Sequence, residues 1–183
     1  MIALGLDVSE KRMGWCAVAY DDQRPLALGM ERLDLPDMGW IENQVFRAMR
    51  DINKRIPDGE VVVVGIEDAY LGPNKMGSLR HAGVVGMATL AARVVFGTGV
   101  TIWPIPANSW RKAIGLKPAS RKRADVKAAT MEWAAMYLGC SEGTPWYTIP
   151  PVEIESDLQE DEADALGIAT ACALLTVRNE EAA

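Results

Sequence analysis

The sequence predicts an α/β fold, a mixed five-stranded sheet with helices on both faces, and three observations carry that reading. Three apolar runs, Ile2 to Leu6, Gly14 to Tyr20 and Pro25 to Leu33, follow one another with only short polar turns between them. Such spacing is that of antiparallel hairpins. Two later apolar runs, Val61 to Ile66 and Val100 to Ile105, each follow a helical pattern long enough to cross back over a sheet. Hairpins first and βαβα alternation afterwards combine into a mixed sheet covered on both sides.

The first run is apolar at Ile2, Leu4 and Leu6 with small Ala3 and Gly5 between, which suits a central strand buried on both faces. It delivers Asp7 to the mouth of the sheet. The polar Ser9-Glu10-Lys11-Arg12 then turns the chain into the second run, and Asp21-Asp22-Gln23 turns it into the third. Pro36 and Asp37 open a helix to about Arg55, with Ile41, Val45, Met49 and Ile52 at helical spacing, and Pro57-Asp58-Gly59 breaks it. The β-branched run Val61 to Ile66 is the strongest strand signal and ends in Glu67. After a loop with Gly72-Pro73-Asn74, a helix is predicted from Met76 to Val95. Its small residues (among them Gly77, Gly83, Gly86 and Ala88) allow close approach to the sheet or to a partner subunit. Pro106 stops the fifth strand, and Asn108 or Ser109 can cap a short helix carrying Trp110-Arg111-Lys112. Ser120 begins another helix to about Leu138. Gly139 to Glu155 is irregular, and Ser156 with Gln159 makes a capping box for a last helix to about Val177.

At 183 residues and 49% apolar content the chain predicts one globular domain over 1–183. No apolar run approaches the ~20 residues of a membrane span, and no basic, then apolar leader is visible, so a cytoplasmic protein is expected. Cys16, Cys140 and Cys172 have no metal-ligand spacing and read as reduced structural thiols. The net charge of -6 argues against nucleic acid, but its distribution does not. Seven bases against one acid lie between Arg111 and Lys127, and seven acids without a base lie between Glu153 and Asp164. Such a pair of segments suits a metal-dependent enzyme acting on a polyanion, or simply two solvated faces.

Asp7 alone is most plainly a turn cap. Glu67, however, also ends a strand, and the two strands can lie parallel and adjacent. Asp161 and Asp164 are three apart, hence on one face of the last helix, in turns where the helix dipole favours carboxylates. Three elements can therefore bring Asp7, Glu67, Asp161 and Asp164 to one point. Four acids so placed would repel one another unless divalent cations neutralised them, which is the physical case for a two-metal site. Asp157, Glu160 and Glu162 read as helix-start acids, and Glu162 points about 100° away from Asp161.

The stretches GLDVSEKRMGW, VVVVGIEDAYLGPNKMGSLRHAGVVGMA and DEADALGIATACAL together resemble the RuvC family of Holliday-junction resolvases, which have an RNase H-like fold, over Ile2 to Val177. The resemblance implies a homodimeric endonuclease of DNA recombination and repair, using two Mg²⁺ ions (Mn²⁺ being able to substitute) to nick opposing strands of branched DNA symmetrically. It places Asp7, Glu67, Asp161 and Asp164 on the family's catalytic, metal-binding acids. Tyr70 falls on an aromatic that stacks at the junction centre. Arg111 or Lys112, and Lys122 or Arg123, fall near the family's active-site bases, with Arg121 alongside as a DNA contact. The helix from Met76 to Val95 corresponds to the dimer helix. The acidic balance and the long Gly139 to Glu155 segment, with Trp146 and Tyr147, depart from cellular members and fit a phage or prophage version. His81 and Trp15, Trp40, Trp103 and Trp133 read as structural.

Rival readings remain open at this point. GLDVSEKRMG also resembles the YqgF-like group, in which Glu67 and the basic segment would be unexpected. An RNase H acting on RNA–DNA hybrid would want its second acid on the first long helix, where only Glu42 offers itself. A sugar-kinase-like nucleotide domain would need a second domain. A non-catalytic DNA-binding module would tolerate loss of the acids.

Overall fold

A computed structural model of the chain describes residues 1–20, 25–35, 41–56, 62–69, 74–141 and 158–181. In chain order these form β1 (Ile2–Val8), β2 (Arg12–Tyr20), β3 (Pro25–Asp34), α1 (Ile41–Asn53), β4 (Val62–Glu67), α2 (Lys75–Phe96), β5 (Thr101–Ile105), α3 (Ala107–Ala113), α4 (Arg123–Ser141) and α5 (Glu160–Glu181). The turn at Asp21, the helix start at Pro36 and Asp37, the break at Pro57, the loop residues Gly72 and Pro73, and Tyr70, Trp146, Tyr147 and Ser156 lie outside the described residues.

The strands form one sheet in the order β3-β2-β1-β4-β5. The three N-terminal strands are antiparallel, and β1, β4 and β5 are parallel, as hairpins followed by crossovers require. Side chains alternate across the sheet with a period of two. Ile2, Leu4, Leu6 and Val8 meet α1 and α2 in one buried cluster with Val45, Met49, Ile52, Val84 and Ala88. Ala3 and Val63 face the other way, where Trp110 of α3 and Ile168 and Cys172 of α5 cover them. The thiols of Cys16 and Cys172 are free and buried.

On that second face α5 lies against the backbone of the sheet. A Cβ at Gly5 would stand 2.1 Å from the Ala165 carbonyl oxygen, and one at Gly14 would stand 2.0 Å from that of Asp161. Gly65 pairs with Gly5 in register, so hydrogens line the track on which the helix rests. The helix answers with small residues of its own: Ala163, Ala165, Ala169, Ala171 and Ala173 are fully buried.

Three details differ from the sequence expectation. Pro106, not Asn108 or Ser109, occupies the N-cap of α3; its carbonyl accepts the N–H groups of Ser109 and Trp110 at 2.8 and 3.2 Å. Proline's fixed φ suits a helix entry where no side-chain cap is made. The helix expected from Ser120 begins at Arg123, because the Ser120 hydroxyl leads the turn instead, bonding the Asp125 carboxylate and accepting the Lys122 N–H at 3.1 Å. Lastly, α2 is long and apolar enough by length and composition to cross a membrane, although only 22% of that span is buried inside the protein. Lys75, Arg80 and Arg93 interrupt its surface, and its inner side packs on the sheet.

Candidate active site

The period-two alternation decides where two acids point. Asp7 has the parity of Ala3 and Gly5, and Glu67 that of Val63 and Gly65, so both carboxylates emerge on the α5 side of the sheet. The β1–β4 register ends at Leu6 opposite Ile66, and the next residues on each strand are Asp7 and Glu67. The glycine track brings the start of α5 down onto the same edge. Gly14 pairs with Asp7 and touches Asp161, so the first turn of α5 stands over the end of β1. Asp164 follows one turn later on the same helix face.

These carboxylates feel one another. Burial pushes Asp7 well above the ordinary carboxylate range, and the charges of Asp164, Glu67, Asp161 and Glu160 add to it. Asp164 is raised to about 7, chiefly by burial and then by Glu67, against a lowering influence from Arg111. A set of hard oxygen donors carrying so much unfavourable negative charge fits a divalent cation of the Mg²⁺ type.

The four acids do not, however, meet at a single point. Among the described residues no three His, Cys, Asp or Glu side chains stand close enough to hold an ion between them. Two of the carboxylates bond other partners instead. Arg12 pairs with Asp161 at 3.4 Å, and the Trp110 indole N–H donates to Glu67 Oε2 at 2.9 Å. Both partners went unnoticed in the sequence.

The neighbouring acids have structural employment. Glu162 accepts the backbone N–H of Arg32 at 3.1 Å and that of Gln159 at 2.8 Å, tying the start of α5 to β3. The second of these bonds is the return half of a capping box formed by Gln159 and Glu162, not by Ser156 and Gln159 as the sequence suggested, because α5 begins at Glu160 and Gln159 stands at its cap. Glu160 is bonded to Lys127 of α4.

The acids floor an open cleft of about 1450 Å³ whose rim is basic. Arg111, Lys112, Arg121 and Arg123, singled out in the sequence, line it; exposed Lys122 lies between the last two and does not. Lys11, Arg12, Lys117 and Lys127 line it as well, as does His81 of α2, which the sequence left as structural. The basic stripe between 111 and 127 foreshadowed Lys117 and Lys127. Nothing local in the sequence marks His81.

No family model and no curated protein matches the sequence. Solved structures do match. Thermus thermophilus RuvC in complex with a Holliday junction substrate is 18% identical, with a TM-score of 0.66, over 97% of this chain and 96% of that one. The fowlpox virus resolvase with its substrate Holliday junction DNA is 14% identical, with a TM-score of 0.56, over 97% of this chain and 99% of that one. The yeast mitochondrial Holliday junction resolvase is 10% identical, with a TM-score of 0.54, over 98% of this chain and 80% of that one. At these identities what is shared is the fold: this chain has the RNase H-like α/β architecture of those resolvases.

Proposed function

We propose that this chain, which has the fold of junction resolvases and an acid-floored, base-rimmed cleft at the end of its sheet, is a metal-dependent endonuclease that resolves four-way and related branched DNA. One observation carries the reading: Asp7, Glu67, Asp161 and Asp164 border the same cleft as Arg111, Lys112, Lys117, Arg121, Arg123 and Lys127. Acids alone would repel a polyanion and bases alone would only bind it.

In this reading Asp7, Glu67, Asp161 and Asp164 would hold two divalent cations once their carboxylates turn towards the ions. Such cations would supply activation of the attacking water and stabilisation of the leaving oxygen. The protein's part is positional. Strands β1 and β4 fix Asp7 and Glu67 through their backbones, and α5, seated on glycines, fixes Asp161 and Asp164. Arg111, Lys112, Arg121, Lys122 and Arg123 track the phosphates, and Tyr70 stacks at the junction centre.

Paired nicks require two such clefts, and α2 offers the surface for a second copy of this chain. Met76, Leu79, Leu90 and Val94 recur at helical spacing and are 55 to 63% exposed. Between them Gly83 and Gly86 present open space to any added Cβ. An exposed apolar stripe with a flat centre is what helix-on-helix packing across a two-fold axis uses.

The test is cleavage of a synthetic four-way junction beside linear duplex and RNA–DNA hybrid, in Mg²⁺ and in EDTA. Wild-type protein should nick the junction in Mg²⁺, and Asp7→Asn should bind it without nicking. Preference for hybrid, or near-normal cutting by Asp7→Asn, would sink the reading.

A further inference from the structure

We propose that Trp110 is a positioning residue for Glu67: its indole N–H fixes one carboxylate oxygen so that the remaining lone pairs face the cleft. This rests on the metal-site reading of the four acids and adds to it a residue that the acids themselves do not identify.

The indole is fully buried, and its Nε1 donates to Glu67 Oε2 at 2.9 Å. A carboxylate has about four acceptor positions, so one donated hydrogen orients the group without exhausting it. Inside a buried wall such a bond is stronger than at a surface. Three elements hold the donor. Helix α3, begun by Pro106, fixes its backbone. The ring lies over Gly167 of α5, where a Cβ would come within 2.5 Å of Cζ3. The Arg111 guanidinium lies 4.6 Å from the ring centroid. Gly167 is three residues beyond Asp164, hence on the same helix face. The indole therefore touches β4 through Glu67 and α5 through Gly167, and the same ring supports Arg111, whose positive charge acts on Asp164. A buried indole N–H needs an acceptor, and here the acceptor is the carboxylate at the end of β4 that borders the cleft.

The experiment uses Trp110→Phe, which keeps an aromatic ring and removes the donor, and Gly167→Ala, which pushes the ring while leaving both Trp110 and Glu67 in the sequence. Mn²⁺ binding to the DNA-free protein is measured by calorimetry, and cleavage is followed across a Mg²⁺ series. Outer-shell partners of metal ligands are worth roughly 10–100-fold in affinity. Both variants should bind Mn²⁺ at least about tenfold more weakly. Trp110→Phe should recover its cleavage rate at high Mg²⁺, whereas Glu67→Gln should not, and junction binding in EDTA should stay at the wild-type level. Wild-type Mn²⁺ affinity in folded Trp110→Phe would overturn the proposal. Should that variant fail to fold, ¹⁵N-indole spectra decide. In Glu67→Ala the Trp110 indole N–H should exchange with solvent at least about tenfold faster, and an unchanged exchange rate would overturn the proposal. A wild-type protein that binds Mn²⁺ in a Trp110-dependent way but cuts no junction would leave this inference standing while the function proposed above fell.

Discussion

Because burial and the Glu67 charge lift Asp164 to about 7, the folded chain holds a proton there in a range where the unfolded chain has lost it. From the ordinary value of 3.8 up to about 7 the native state binds more protons than the unfolded one, so stability falls as pH rises through that window. In EDTA the melting temperature should therefore decline from about pH 4 to about pH 7. Asp164→Asn should flatten the decline and stabilise the protein at pH 8 by on the order of 2 kcal/mol, or roughly 4–8 °C. Calorimetry across pH checks this, and Mg²⁺ should restore wild-type stability at pH 8. An Asp164→Asn protein that melted lower than wild type at pH 8 would show that the acid is a structural support instead. Residues of this kind were legible because each ends a strand or sits at a fixed helical offset. Glu162 was separable from Asp161 for the same reason. Trp110 was not, since its bond to Glu67 joins positions 43 apart and no short-range pattern encodes it.

At the scale of elements, α2 has two unlike sides. Val84, Ala88, Ala91 and Ala92 are buried against the sheet and α1, while Gly83 and Gly86 look outward into open space. That difference separates folding from association. Gly83→Trp adds bulk where the monomer has room, so the melting temperature of the protomer should change little. The dimer should be lost, and paired incision of a junction should become single nicks, by light scattering and by cleavage of a cruciform plasmid. A Gly83→Trp protein that remained dimeric would place the contact elsewhere. The small-residue stripe was visible in the sequence, but which residues of it faced inward depended on the seating of the helix. Helix boundaries were harder. Ser120 and Pro106 compete for turn and cap roles that only the surrounding backbone decides, and both resolved against the simplest capping rule.

For the molecule as a whole, a net charge of -6 and a basic cleft coexist because the bases that line the cleft cluster around α3 and the start of α4. If they track phosphates, DNA affinity should fall steeply with salt, with a slope of about -0.9 per duplex phosphate neutralised. Replacing Arg121, Lys122 and Arg123 together by Ala should flatten that slope and weaken every DNA form alike, since phosphate contacts carry no sequence information. Anisotropy titrations at several salt concentrations measure it, and an unchanged slope would return the stripe to the status of a solvated face. The mixed sheet, antiparallel hairpins first and parallel strands after, followed from the sequence because hairpins and crossovers restrict topology so strongly; the strand order itself did not. The cleft did not, since it needs the glycines of β1, β2 and β4 to meet the alanines of α5.

That meeting also sets a schedule. Arg12 and Asp161 are 149 positions apart, and α5 follows in the chain every strand it rests on. Until α5 is in place, one face of the sheet lacks its cover and the cleft lacks Asp161 and Asp164. Docking of α5 therefore completes the buried face of the sheet and the acid floor of the cleft in one step.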